Sequence, residues 1–150
     1  MNKRILPLIA LVSLIGAAPA SAGEPSPPAG SIRVIVGNLR STKGLVGVAL
    51  FSSDRGFPDK PERAREGLSV PADGNCEVVF SNVPYGTYAV SVLHDENVNG
   101  RMDKNFIGIP KEGFGASNNP KIRRGPPSFS ESRFTVEKRE VALTVDMNYF

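Results

Sequence analysis

Cysteine is almost absent from this 150-residue chain: Cys76 stands alone, so no internal disulfide closes a loop. Tryptophan is missing, and histidine occurs once, at position 94. No G-x-S-x-G elbow is present, so the usual serine-nucleophile arrangement has no carrier. An excess of one charge sign is lacking too. Lys and Arg number 18 against 15 Asp and Glu, which argues against general attraction to nucleic acid or to membrane surfaces. Internal repeats and a sustained 3.6-residue apolar period are also missing, which excludes solenoids and helical bundles. What remains is a chain of short apolar alternations separated by turn residues.

The one long apolar run lies at the start. Asn2-Lys3-Arg4 is basic, residues 5–18 are apolar, and Ala20-Ser21-Ala22 is a small-residue cleavage site. That order predicts a secretory signal peptide over 1–22. The run falls short of the ~20 residues a membrane span needs and is broken by Pro7 and Pro19. A lipoprotein would carry cysteine at the cut, and Cys76 lies far from it. Cleavage after Ala22 leaves 128 residues and lowers the formal charge from +3 to +1, so the pI of 9.2 overstates the basicity. The expected product is a periplasmic or secreted monomer without a membrane span. One domain of this size buries roughly two-thirds of its unfolded surface.

Residues 23–30, rich in Pro, Gly and Ser, read as a flexible leader, and 31–150 as the domain. Residues 31–37 and 44–51 read as strands paired antiparallel through a turn at Lys43-Gly44. Pro61 opens one helical turn in the polar stretch 52–67. Residues 68–70 and 76–80 flank Asp73-Gly74-Asn75 and read as a hairpin, with Cys76 buried beside Val78 and Phe80. Val83-Pro84-Tyr85-Gly86 turns into 87–93, where Tyr88, Val90 and Val92 share a face. Strands at 133–136 and 140–148 follow, the latter with Val141, Leu143, Val145 and Met147 on one side. Together these give an all-β, antiparallel sandwich of about seven strands with one long ordered loop at 94–131. The alternating segments are too few and too short for an outer-membrane barrel, despite the final Tyr149-Phe150.

Within that loop, Asp95, Asn97 and Asn99 alternate, Gly100 follows, and Asp103 comes at the ninth position. This is the spacing of a calcium loop: oxygen-bearing side chains at positions one, three, five and nine, with a glycine for the sharp turn. Arg101 would ligate through its carbonyl. Position twelve is Phe106 rather than glutamate, and no helix leads in, so this is not an EF-hand. Glu112, returned by Gly108-Ile109-Pro110, is the candidate for the absent carboxylate. Glu96 at position two points away, so Glu96→Ala is expected to do little to a calcium-induced rise in melting temperature. The competing reading is a metal-free turn in which Asn97 and Asn99 cap backbone groups and Asn99-Gly100 takes positive φ.

Phe80, Pro84-Tyr85-Gly86-Thr87-Tyr88-Ala89-Val90, His94-Asp95-Glu96-Asn97, Asn99-Gly100, Asp103 and Asn105 follow in one fixed order. Gly108-Ile109-Pro110, Glu112-Gly113-Phe114-Gly115, Ser117-Asn118-Asn119 and Pro126-Pro127-Ser128-Phe129 continue it. Over roughly 31–149 the chain resembles a bacterial family of secreted proteins known only as a domain of unknown function. It departs from that pattern at Glu131-Ser132, where Asp-Ala is expected. More distantly, the F-x-x-x-P-x-G-T-Y-x-V element is similar to transthyretin-like and carboxypeptidase regulatory-like sandwiches. The resemblance implies an immunoglobulin-like or prealbumin-like fold and brings no known activity.

Three functions stay open. The first is an exported, noncatalytic, calcium-stabilised domain binding an unknown protein or cell-envelope ligand, without nucleic acid. The second is a structural sandwich with a metal-free capped turn. The third is a small metal-dependent hydrolase using His94 with Asp95, Asp103 and Glu112, against which stands the commoner role of a lone histidine as a structural hydrogen-bonder. Lys121, Ile122, Arg123 and Arg124 form a small basic cluster, read here as solvated.

Overall fold

The computed structural model describes residues 26–123 and 125–150; the expected signal peptide lies outside them. Eight strands form two sheets: β1 (Ala29–Gly37), β2 (Leu45–Phe51), β3 (Glu66–Pro71), β4 (Glu77–Pro84), β5 (Gly86–Asp95), β6 (Gly113–Ala116), β7 (Phe134–Val136) and β8 (Glu140–Asp146). Among the described residues, helix is confined to a 3-10 turn at Pro61–Arg63 and one turn, α1, at Phe129–Ser132. One sheet runs β4-β1-β8 and the other β3-β2-β5-β6, with β7 also paired to β5. This is a sandwich and not a barrel. No helix among the described residues is long and apolar enough to cross a membrane.

The core follows from period-2 alternation, which sends every second side chain inward. Ile32, Val34 and Val36 of β1, Val46, Val48 and Leu50 of β2, Val78 and Phe80 of β4, and Tyr88, Val90 and Val92 of β5 meet between the sheets. Full burial of each such side chain contributes about 1.5–3 kcal/mol. Val145 of β8 joins them, while Leu143, expected inside, is half-buried, because β8 is an edge strand. Cys76 is buried and its thiol meets the Pro71 carbonyl at 3.2 Å. The Pro61 turn forms where expected, with proline at its first position.

The strand faces agree with the sequence reading, but several partners do not. β1 and β2 lie in different sheets rather than pairing antiparallel. β1 begins at Ala29 and is the middle strand of its sheet, antiparallel to β4 and parallel to β8, with Ser31 opposite Glu140. The expected hairpin across Asp73-Gly74-Asn75 is instead a corner. β3 pairs with β2, and β4 with β1, so the turn carries the chain from one sheet to the other. The segment 94–131 has secondary structure of its own, which raises the strand count to eight. Gly113-Phe114-Gly115-Ala116 forms β6 against β5, and Ser128 and Glu131 close a capping box on α1.

Candidate functional site

β5 and β6 are neighbours, with His94 opposite Gly113, so the connection between them leaves and re-enters the sheet at one place. That connection is the 96–112 loop, and its two limbs touch at the Lys104–Pro110 bridge. β6 carries glycine at positions 113 and 115 for a spatial reason. A Cβ on Gly113 would lie 2.2 Å from the Tyr149 ring, and one on Gly115 would lie 2.6 Å from Val145. The last residues pass directly over this strand, where Asn148 and Phe114 exchange backbone hydrogen bonds.

Asp95 ends β5 almost buried, at 6% exposure. Its carboxylate accepts the backbone N–H of Asn99 at 3.1 Å and of Gly100 at 2.7 Å. The Asn97 side-chain oxygen accepts from Asn99 N–H at 3.2 Å, and that of Asn99 from Arg101 N–H at 3.0 Å. Successive Asx turns thus wind the chain around the Asp95 carboxylate. The amide groups of Asn97 and Asn99 both donate to one oxygen of Asp103, at 2.6 and 3.0 Å. Those two bonds, Asn97 first, hold the Asp103 carboxyl below its usual range. Positive φ falls on Val98, at 58°, and Gly100, at 77°, and not on Asn99.

Glu112 does return to the loop. Only 4% exposed, it places one carboxylate oxygen 3.1 Å from Glu96 N–H and the other 3.0 Å from Asp103 N–H. It therefore joins the loop's two ends. Asn105 closes the outer turn by accepting from Ile107 and Ile109 N–H at 3.0 and 2.9 Å.

Calcium takes six to eight oxygens. The loop brings together Asp95, Asn97, Asn99, Asp103 and Glu112, each with an oxygen already accepting a hydrogen bond. An anionic oxygen retains a further lone pair, so the carboxylates can ligate while holding their N–H partners. The amides of Asn97 and Asn99 present NH₂ to Asp103, and an ion there requires them to turn. Among the described residues, no three His, Cys, Asp or Glu side chains are gathered as a metal-holding group. Ion coordination at this loop therefore needs amide, carbonyl and water oxygens beside the carboxylates.

His94 is fully buried, and both ring nitrogens are engaged. Nε2 lies 2.8 Å from the Lys43 carbonyl, which can only accept, so Nε2 carries the proton. In the neutral ring Nδ1 then accepts from the Tyr149 hydroxyl, at 2.8 Å. Neither partner is Asp95, Asp103 or Glu112, the carboxylates a hydrolase would set beside it. Burial raises the pKa of Tyr149, which keeps this donor protonated.

Sequence reasoning missed Arg40, Ser41 and Tyr149, which lie far along the chain from the loop they brace. Glu96 does point away from the loop, but it is not idle. Its carboxylate pairs with the Arg40 guanidinium and accepts from the Ser41 hydroxyl at 2.6 Å. Those contacts, Arg40 before Ser41, lower its pKa from the usual 4.5 to about 2. Arg40 also stacks over the Tyr149 ring at 4.7 Å and donates to the Lys111 carbonyl at 2.8 Å. This network gives Glu96 a bracing role apart from the loop's oxygen donors.

Beside the loop, the outer face of the larger sheet forms a trough of about 1320 Å³, bounded by residues 98–111, by 122–123 and 125–127, and by the 58–62 turn. Its floor is a row across four strands, Ser69, Gly47, Leu93 and Phe114, next to Gly67, Ala49 and Ser91.

Residues 34–144 match the family DUF2141, described as an uncharacterized protein conserved in bacteria, and the chain belongs to that family. No curated protein and no solved structure matches it.

Proposed function

We propose that this bacterial domain is an exported, noncatalytic binding module whose 95–112 loop is held in shape by one calcium ion. The observation that carries the reading is the winding of the loop around the Asp95 carboxylate, with Glu112 returned beneath it. Asp95, Asn97, Asn99, the Arg101 carbonyl, Asp103 and Glu112 are the assigned ligands. The engagement of both His94 nitrogens supports a structural role for the only histidine and a domain without acid–base chemistry. The order of basic, apolar and small residues in 1–22 supports export.

A metal-free loop is the second reading. It is favoured by the two amide bonds to Asp103, which close the turn without an ion.

Melting in calcium against chelator separates the two. With few carboxylates the Kd belongs with extracellular sites, ~10⁻⁴ to 10⁻³ M. At ~1 mM calcium and a Kd of ~0.1 mM, linkage contributes about 1.4 kcal/mol, a rise of roughly 5 °C, with magnesium less effective. Identical melting in both, with no calcium bound at millimolar concentration by calorimetry, makes the metal-free loop the correct reading. Export is tested by the intact mass of the protein recovered outside the cytoplasm, expected to begin at Gly23; a soluble form retaining Met1 contradicts it.

A further inference from the structure

We propose that the trough on the outer face of the β3-β2-β5-β6 sheet binds an anionic single-chain amphiphile. The alkyl chain lies across the four strands and the charged head meets Arg101, Lys104 and Lys111. This rests on the binding-module reading above and names its ligand class.

An outer sheet face is ordinarily polar and filled by long side chains. Here Gly47, Ala49, Gly67, Ser69 and Ser91 leave most of it low, with Leu93 and Phe114 as the larger apolar residues of the floor. The space over the glycines is open. A Cβ on Gly47 would meet nothing closer than the Ser69 hydroxyl, at 3.8 Å, and one on Gly67 would meet nothing within 4 Å. Neither glycine has the positive φ that would demand glycine for backbone reasons. Apolar residues line it beside the floor: Met102, Ile107, Ile109 and Pro110 from the loop, and Ile122 and Pro126 from the later segment. A pocket lined mainly by apolar groups with a few polar ones converging at one place is the general form of a small-molecule site. The distance across four strands, roughly 14 Å, matches an extended dodecyl chain.

Charge complementarity identifies the head. Arg101, Lys104 and Lys111 line the trough from the 98–111 loop. Among the described residues, Lys104 and Lys111 have no acidic partner within ion-pair distance, and Arg101 reaches Asp103 only at 3.8 Å. Asp95, the one acid lining this end, has both oxygens turned to backbone N–H groups. The trough's other acids, Asp59 and Glu62, belong to the turn that leaves the opposite end of β2. With Arg123 the trough's remaining cation, an alkyl carboxylate or phosphate is matched by the basic side chains of the loop.

The test is calorimetric titration of the protein with octanoate, decanoate and dodecanoate below their micelle concentrations, and with dodecanol as the uncharged control. Affinity is expected to rise roughly fourfold per added methylene, and dodecanol to bind more weakly than dodecanoate. Gly47→Leu is expected to abolish binding while melting no lower than wild type, since its side chain enters the trough and not the core. Lys104→Gln with Lys111→Gln is expected to weaken dodecanoate by roughly fivefold and leave dodecanol unchanged. No binding of any chain, or binding unaltered in Gly47→Leu, overturns the site. Equal binding of dodecanol overturns the charged-head assignment. Association with anionic vesicles that Phe106→Asp removes, without binding of monomeric dodecanoate, overturns it in favour of a membrane surface. The calcium shift in melting is measured on the same protein. A protein that shows the shift and takes no chain loses this inference alone, and the reverse loses only the ion.

Discussion

Replacing Glu112 by glutamine changes one atom and removes the loop's internal staple. The wild-type carboxylate accepts from Glu96 N–H and Asp103 N–H, both at about 3 Å, in a position only 4% exposed. Glutamine has one acceptor and one donor. Whichever way the amide turns, its NH₂ faces one of the two backbone donors. A hydrogen bond to a charged group is worth about 1.5–3 kcal/mol, and the surviving bond falls to the weaker neutral kind. The expected loss is about 2–3 kcal/mol. For a domain of this size that lowers Tm by roughly 6–10 °C. The measurement is a thermal melt in chelator, followed by circular dichroism or calorimetry. A variant that melts within about a degree of wild type there refutes the staple, because nothing else in the substitution compensates it. Repeating the melt in calcium adds a second reading. If Glu112 also ligates the ion, the increment of roughly 5 °C expected for wild type disappears; if water supplies that ligand, the increment survives on a lower baseline.

Glu96 predicts an acid limb. Its folded pKa of about 2 lies below the usual 4.5, so its stabilisation is complete above pH 4.5 and lost as pH falls through about 2. Discounted for the half-exposed Arg40, it amounts to about 1–2 kcal/mol. Glu96→Gln is expected to melt lower at neutral pH and to converge with wild type below about pH 2; parallel curves across that window sink the assignment. Val98 predicts a gain. A β-branched residue at φ 58° is strained, and this one is 58% exposed. Val98→Asn is expected to add about 1 kcal/mol, seen as a rise in denaturant midpoint, and a fall would mean that its contacts in the trough outweigh the strain.

The faces of the strands were legible in the sequence because burial has the period of the pleat. Val34 with Val36, Val78 with Phe80, and Tyr88 with Val90 and Val92 announce which side is inward. Their partners were not legible, since alternation states a face and never a neighbour. Asp73-Gly74-Asn75 looks the same whether it reverses the chain within a sheet or carries it between sheets. β6 was hidden because Gly113 and Gly115 have no strand propensity of their own; the passage of Tyr149 and Val145 over them demands glycine. The Ser128–Glu131 capping box was readable as S-x-x-E and was passed over because four residues carry no helical period. At the site, the alternation of Asp95, Asn97 and Asn99 and the return of Glu112 were visible from spacing alone. Arg40 and Tyr149 were not, because contacts spanning 56 and 55 residues leave no local pattern.

The parallel pairing of β1 with β8 governs when this chain finishes folding. β1 sits between β4 and β8, and its second edge is satisfied only by residues more than a hundred positions away, Ser31 meeting Glu140. Contacts of such separation close slowly, because the loop entropy is spent before any contact returns it. While the chain is still emerging from a ribosome, the smaller sheet has an open edge and the core lacks Val145. The smaller sheet is therefore completed last, when β8 docks beside a β1 already able to pair with β4.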